Sequence, residues 1–269
     1  AEKGYHVPNE GSASQTQCDY GTYQDAVGAS SCKQCAAGWA QWTQGQTGCN
    51  ACGSGNYQPS AGQKWCISTD KGYYSGAAPQ SNQTPCPVGQ YQDETNKAGC
   101  KNCPAGQYQD QTGQSGCKPC PNGRWSNAGS SSCNLSCQAG YKCVSGTKTQ
   151  CTAGTYAPTG SSSCTTCQNG SYNESAGAAS CTTCPAGYKC TNGSRTQCTA
   201  GTYATAGSSS CTNCPAGQYS SSNGASGCNA CWAGSYQGST GKTTCNACWA
   251  GSYQGSTGKT TCNSCWAGT

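Results

Sequence analysis

Cysteine is the side chain in this sequence best placed to do chemistry, and it recurs at fixed spacing. The 269 residues include 29 of them. Nine pairs enclose thirteen residues: Cys18/Cys32, Cys35/Cys49, Cys52/Cys66, Cys86/Cys100, Cys103/Cys117, Cys167/Cys181, Cys214/Cys228, Cys231/Cys245 and Cys248/Cys262. Three pairs enclose twelve: Cys120/Cys133, Cys151/Cys164 and Cys198/Cys211. Two-residue spacers between most of these pairs create ten C-x-x-C steps. Metal ligation, dithiol redox work and structural bridging all use cysteine in such patterns. The C-x2-C-x13-C-x2-C of Cys32, Cys35, Cys49 and Cys52 lies near the spacing of a four-cysteine zinc site. A redox dithiol needs one special pair in a βαβ setting, and ten equivalent pairs argue for structure instead.

The gap after Cys66 separates zinc from disulfide. Seventeen residues on from Cys52 stands Thr69, and seventeen further stands Cys86. Residues 69–83 are therefore a unit in register, with Gly72 and Tyr74 in place but Thr69 and Gln83 where its two cysteines would be. Two ends lost together are two ends bonded to each other. Zinc would instead strand Cys66 and Cys86 in half sites. Parity agrees: joining each loop end to end, then Cys137 with Cys143 and Cys184 with Cys190, uses 28 cysteines in 14 bonds and leaves Cys265. Trp266, Ala267, Gly268 and Thr269 follow it as the opening of another unit, so its partner is expected beyond this chain. The twins CQAGYKCVSGTKTQC (137–151) and CPAGYKCTNGSRTQC (184–198) stay open. Sequential pairing (Cys137–Cys143, Cys151–Cys164) and crossed pairing (Cys137–Cys151, Cys143–Cys164) obey the same counts, as do their counterparts among Cys184, Cys190, Cys198 and Cys211. No metal and no cofactor is expected.

Other reactive side chains are sparse. His6, the single histidine, precedes the first cysteine, and the acids form no recurring pair for general acid–base work, so no enzyme is expected. Asn82, Asn134, Asn169, Asn173 and Asn192 open N-x-S/T sequons, with Pro85 close behind that of Asn82. Serine triplets at 130–132, 161–163, 208–210 and 220–222 are candidates for O-linked sugars.

What must position these groups is not an oily core. Leu135 and Ile67 are the only Leu and Ile, and Phe and Met are absent. Native packing density needs branched aliphatics at many positions. A composition with this much cysteine marks a disulfide scaffold of a secreted chain. Closing a 15-residue loop contributes about 3 kcal/mol in the chain-entropy account, so a dozen loops can replace a core. The net charge of +5 is spread thinly. No basic run makes a nucleic-acid surface, and no apolar stretch is long enough to span a bilayer.

From Cys18 the unit reads C-x2-G-x-[Y/W]-x7-8-G-x3-C-x2, with Gly21 and Tyr23, Gly106 and Tyr108, and Gly123 and Trp125 in the first slots. Gly28, Gly45, Gly62 and later glycines fill the second glycine slot, and Asn96 fills it once. Asn tolerates a left-handed backbone best after Gly, which predicts a turn of positive φ there. A unit with one aromatic and one bridge must stack on its neighbours to cover its ring. The fold expected is a small disulfide-rich repeat array: an elongated, solenoid-like rod with sparse short β-hairpins and little or no helix. Its divisions are an N-terminal segment (1–17), regular repeats (18–66), a degenerate repeat without its disulfide (67–85), regular repeats (86–133), irregular repeats with extra cysteines (134–198) and regular repeats ending in an incomplete one (199–269).

The string C-P-A-G-x-Y…G-x3-C-x2-C resembles the ephrin-receptor-like cysteine-rich repeat. Cys103, Pro104, Ala105, Gly106, Tyr108, Gly113, Cys117 and Cys120 carry it, as do Cys214, Pro215, Ala216, Gly217, Tyr219, Gly224, Cys228 and Cys231. Long arrays of this kind are also similar to protist cell-surface and flagellar-hair proteins. The resemblance implies an extracellular setting, loop-closing disulfides and no catalytic residues. Trp232, Trp249 and Trp266 stand where that repeat has proline. The function expected is that of a glycosylated structural subunit of a filament, shaft or cell-surface coat. Its partners would be copies of itself, other extracellular proteins and glycans, with no nucleic acid and no membrane span. The alternative is the ligand-binding ectodomain of a receptor or adhesin, with 134–198 as the candidate site.

Overall fold

The computed structural model describes residues 1–265. They divide into two compact units, Ala1–Leu135 and the stretch from Ser136 onward. Among the described residues there is no helix, only short strands paired as two-stranded antiparallel hairpins.

One repeat explains most of them. Gly21 turns the chain at φ 74°, and the Thr22 N–H closes that turn on the Asp19 carbonyl at 3.0 Å. The strand Thr22–Tyr23 then pairs with Lys33–Gln34, Thr22 opposite Gln34 and Tyr23 opposite Lys33. The Cys35 N–H extends the hairpin to the Gly21 carbonyl at 2.8 Å, and the Cys18–Cys32 bridge ties the loop, its Cα atoms 5.6 Å apart. The expected turn at Asn96 has φ 59°.

Successive repeats are joined by backbone. Between the repeats opening at Cys18 and Cys35, the Gly21 N–H donates to the Gln41 carbonyl (2.8 Å), Gln24 N–H to Gln46 (3.0 Å) and Gly45 N–H to Cys18 (2.9 Å). The second compact unit repeats the pattern: Gly201 to Ser220 (2.8 Å), Ala204 to Ala225 (3.1 Å) and Gly224 to Cys198 (2.7 Å). Buried polar backbone must be paired, and here the pairing partner is the neighbouring repeat.

The interior is sulfur, glycine and glutamine. The opening cysteines from Cys18 to Cys231 are buried almost completely, and the repeat tyrosines are only half-buried, with Tyr253 exposed. Gly21 sits so close to the repeat after next that a Cβ there would overlap the Gly62 carbonyl. Gln24, 4 % exposed, fills the space inside its loop. Its Nε2 donates to the Ser31 carbonyl at 2.7 Å and its Oε1 accepts the Ala26 N–H at 3.0 Å. Gln41, Gln58, Gln92, Gln109, Gln237 and Gln254 make the same crossing.

The segment 1–17, which lacks cysteine, has the same geometry. Tyr5–His6 pairs with Thr16–Gln17, Gly4 has φ 84°, and Gly4, Val7 and Gly28 supply the three junction bonds to the next repeat. The array therefore extends back to the first residues, not only to Cys18. Ala1 and Gln15 occupy its cysteine slots, and the Gln15 Oε1 accepts the Glu2 N–H at 2.8 Å. The repeat 69–83 does likewise: Gln83 Oε1 accepts the Asp70 N–H at 2.8 Å. Thr69, fully buried, replaces the opening cysteine. A glutamine amide thus joins the two loop ends that a bridge joins elsewhere.

Within 134–198 two hairpins are longer: Tyr141–Val144 with Thr147–Gln150, and Tyr188–Thr191 with Ser194–Gln197. Their two-residue loops, Ser145-Gly146 and Asn192-Gly193, both have positive φ throughout, the geometry that matches strand twist in tight hairpins. Cys143 and Cys190 lie in the buried slot that glutamine fills in other repeats, and each bonds to the cysteine that opens its own repeat.

Candidate functional site

The chemistry-bearing cysteines come first. Among the described residues there are fourteen disulfides, twelve of them across loops with a separation of 13 or 14 residues. In the first compact unit these are Cys18–Cys32, Cys35–Cys49, Cys52–Cys66, Cys86–Cys100, Cys103–Cys117 and Cys120–Cys133. In the second they are Cys151–Cys164, Cys167–Cys181, Cys198–Cys211, Cys214–Cys228, Cys231–Cys245 and Cys248–Cys262. The other two, Cys137–Cys143 and Cys184–Cys190, have a separation of 6. Of the two pairings left open by sequence, the structure has the sequential one. Cys137 can reach Cys143 because six residues fold back as one turn and half a hairpin.

The two ends of a loop bridge are not alike, which spacing alone does not show. The opening sulfur is interior, whereas the closing cysteines Cys100, Cys133, Cys181, Cys245 and Cys262 are half-buried, as are their counterparts in the other loops. Each closing cysteine directly precedes the second strand of its hairpin, except Cys133, which Asn134 separates from Leu135–Ser136, and the residues of these strands lie mostly at the surface. The bridge therefore runs from the interior to the rim of its repeat. Cys265 is an exposed free thiol. Trp266 lies outside the described residues.

His6 fills the slot that holds the repeat tyrosine elsewhere, and its Nδ1 lies 3.2 Å from Cys32 Sγ. Among the described residues, His6, Cys18 and Cys32 are the group whose donor atoms approach as metal ligands do. Both sulfurs are spent on one disulfide, and metal ligation by cysteine needs the thiolate. The cluster is thus a histidine packed on a bridge.

The acids that sequence reading leaves isolated are paired across loops. Asp25 meets Lys33 at 2.6 Å, Asp93 meets Lys101 at 2.7 Å and Asp110 meets Lys118 at 2.6 Å, each from one slot to another eight residues on. Glu94 joins Lys97 and Lys101 at 2.7 and 2.9 Å. Lysine hydrogen bonds hold the Asp25, Asp93 and Asp110 carboxyls below their ordinary range and lower Glu94 to about 2. Such carboxylates stay ionised and do not exchange protons near neutral pH, which fits a clasp and not a general acid.

Aromatic rings make the other recurrent surface. Lys33 lies 5.8 Å from the Tyr23 ring centre and Lys118 5.9 Å from that of Tyr108. Arg195 sits between Tyr172 and Tyr188, at 4.9 and 4.8 Å, and pairs with Glu174 at 2.9 Å. Trp232 meets Tyr219 of the preceding repeat edge to face, centres 5.8 Å apart, and Trp249 meets Tyr236 in the same way at 5.9 Å. This arrangement, favoured by the ring quadrupoles, gives tryptophan in the proline slot a packing role between repeats.

The sequon asparagines are not equivalent. Asn82, Asn134, Asn169 and Asn192 are exposed. Asn173 is half-buried in the glutamine slot, where its Nδ2 donates to the Thr155 carbonyl at 2.9 Å and its Oδ1 accepts the Ser175 N–H at 3.1 Å.

Bridged loops, short hairpins and stacking of each repeat on those close to it in sequence define an extracellular cysteine-rich repeat domain. The family described as tyrosine-protein kinase ephrin type A/B receptor-like matches residues 72–114, 154–199 and 201–242. Those three stretches match ephrin-receptor-like cysteine-rich repeats. No curated protein matches the chain.

Proposed function

We propose that this chain is a non-catalytic, glycosylated structural subunit of an extracellular filament, shaft or cell-surface coat. The observation that carries the reading is the junction between repeats. Within each compact unit nearly every added repeat makes the same three backbone hydrogen bonds to the one before it, the repeats opening at Thr69 and Cys184 making two of the three, so length accrues without new design. The two copies of CWAGSYQGSTGKTT at 231–244 and 248–261 fit that economy. Sugars would occupy Asn134, Asn169 and Asn192, whose side chains are exposed, and not Asn173, whose amide is already used. Asn82 is exposed but compromised by Pro85. The partners would be further copies of this chain or other extracellular proteins.

Immunogold labelling of intact cells and of isolated surface filaments tests the role. Label spaced along a filament or coat is the expected result. Label confined to the plasma membrane, with one soluble ligand recovered in stoichiometric complex through 134–198, would favour a receptor ectodomain instead. Release of N-glycans in heavy-oxygen water marks each occupied asparagine by mass. Marks at Asn134, Asn169 or Asn192 are expected, and a mark at Asn173 alone would contradict the assignment.

A further inference from the structure

The repeats at 18–66 carry a surface unlike the others. Trp42 and Trp65, from successive repeats, hold their indoles parallel within 5°, centres 6.5 Å apart. They are 43 % and 60 % exposed, although such large rings dominate protein cores and interfaces when buried. They line a depression of about 400 Å³ together with Asn56. Neither indole N–H has an acceptor among the described residues. The Lys64 ammonium stands beside them, 5.3 Å from the Trp65 ring centre and 3.5 Å from that of Tyr20. No carboxylate lies within ion-pair distance of it among the described residues. Asp19 is near enough for Lys64 to help lower its pKa, behind the Tyr20 N–H and Gln44 amide that do most of that work.

We infer that this surface is a binding site for a neutral pyranose oligosaccharide. Admitting a flat ring between two others takes two van der Waals gaps, roughly 7 Å in all. The observed 6.5 Å is too narrow, so the ligand lies across the outer faces. A ligand suited to that platform has an apolar flat face and an edge rich in groups that both donate and accept hydrogen bonds. Pyranose C–H faces and ring hydroxyls supply both. The hydroxyls have unused indole N–H groups, the Lys64 ammonium and the Asn56 amide as donors, and the Asp19 carboxylate as an acceptor. One exposed ammonium with the Asp19 carboxylate in its neighbourhood gives a polyanion little from charge. Single-stranded nucleic acid takes stacking aromatics inside a positive groove, and this platform has no such groove. The site lies on the scaffold without depending on the scaffold's role.

Isothermal titration of the full chain with cellohexaose, chitohexaose and mannohexaose tests the inference, with a uronate hexamer and a thymidine hexanucleotide alongside. At least one neutral hexamer should bind with a Kd of roughly 0.1–1 mM, unchanged between low and moderate salt. Trp65→Ala and Trp42→Ala should each weaken binding by roughly tenfold. Both rings are exposed, so both variants should keep the wild-type disulfide map. Lys64→Gln, which removes the charge alone, should cost only a few-fold. No binding by any neutral hexamer up to 10 mM (on the order of 10 times the weakest expected Kd), binding indifferent to both tryptophan changes, or preference for the uronate or the nucleotide with strong salt dependence would each overturn the inference.

Discussion

Two glycines of one repeat separate local strain from tertiary contact. Gly21 and Gly28 have nearly the same backbone, φ 74° and 70°. A Cβ at Gly28 meets nothing within 4 Å, whereas one at Gly21 falls on the Gly62 carbonyl two repeats away. Alanine at either site incurs the left-handed penalty, roughly 1–2 kcal/mol. At Gly21 the third repeat must also move. That shift disturbs the Gly21-to-Gln41 bond and the Gln41-to-Gln63 bond, each worth about 1 kcal/mol net, and opens packed space. Gly21→Ala should therefore cost about 3–5 kcal/mol and Gly28→Ala about 1–2. Native-state hydrogen exchange with the disulfides intact reads the difference at the amides of Gln24, Gln41 and Gly45. Their protection should fall by roughly a hundredfold or more in Gly21→Ala and by tenfold or so in Gly28→Ala. Equal losses in the two variants would refute direct packing between each repeat and the one after next.

The glutamine crossings carry a comparable expectation. Gln41→Ala removes four side-chain hydrogen bonds in and beside one loop and should cost about 2–4 kcal/mol, seen as faster exchange at the Thr43 amide with distant repeats unchanged. Restoring the missing bridge by Thr69→Cys with Gln83→Cys should form a fifteenth disulfide and stabilise that repeat by about 3 kcal/mol, read as a mass lower by two hydrogens and slower exchange at Asn96, whose N–H donates to the residue-69 carbonyl. Acid should do little. The carboxyls of Asp25, Asp93, Glu94 and Asp110 are depressed in the fold, so their support is present above their unfolded pKa and fades as pH falls toward about 2. Because all four are exposed, the thermal midpoint should slip only slightly over that window, and a cooperative collapse at pH 4 would contradict the reading.

The loop bridges were legible because their absence was: Thr69 and Gln83 lose both ends of one loop at once. The repeat at 1–17 was hidden for the same reason. Without cysteines to mark it, only Gly4 seventeen residues before Gly21 and Gln15 seventeen before Cys32 point to it. The interior glutamines escaped because a polar amide in a loop reads as surface. Only the fold shows that the loop itself supplies each amide with a carbonyl and an N–H. Recognising that slot would have settled the irregular repeats, since Cys143 and Cys190 stand in it. The aromatics were expected to be the covered groups. Sulfur and glutamine take the interior instead, and the rings stay half-exposed along the surface. Neither the parallel setting of Trp42 and Trp65 nor the placing of Lys64 beside them follows from repeat spacing, because the three come from different slots in two repeats.

A peptide map under non-reducing conditions, made after blocking free thiols, tests the central claim most directly. Covalent bridges within each repeat, joined by backbone bonds between repeats, replace a hydrophobic core. The map should recover fourteen bridges, including Cys137–Cys143 and Cys184–Cys190, with Cys265 the single blocked thiol. Peptides linking Cys137 to Cys151, several blocked thiols, or zinc in stoichiometric amount would contradict it.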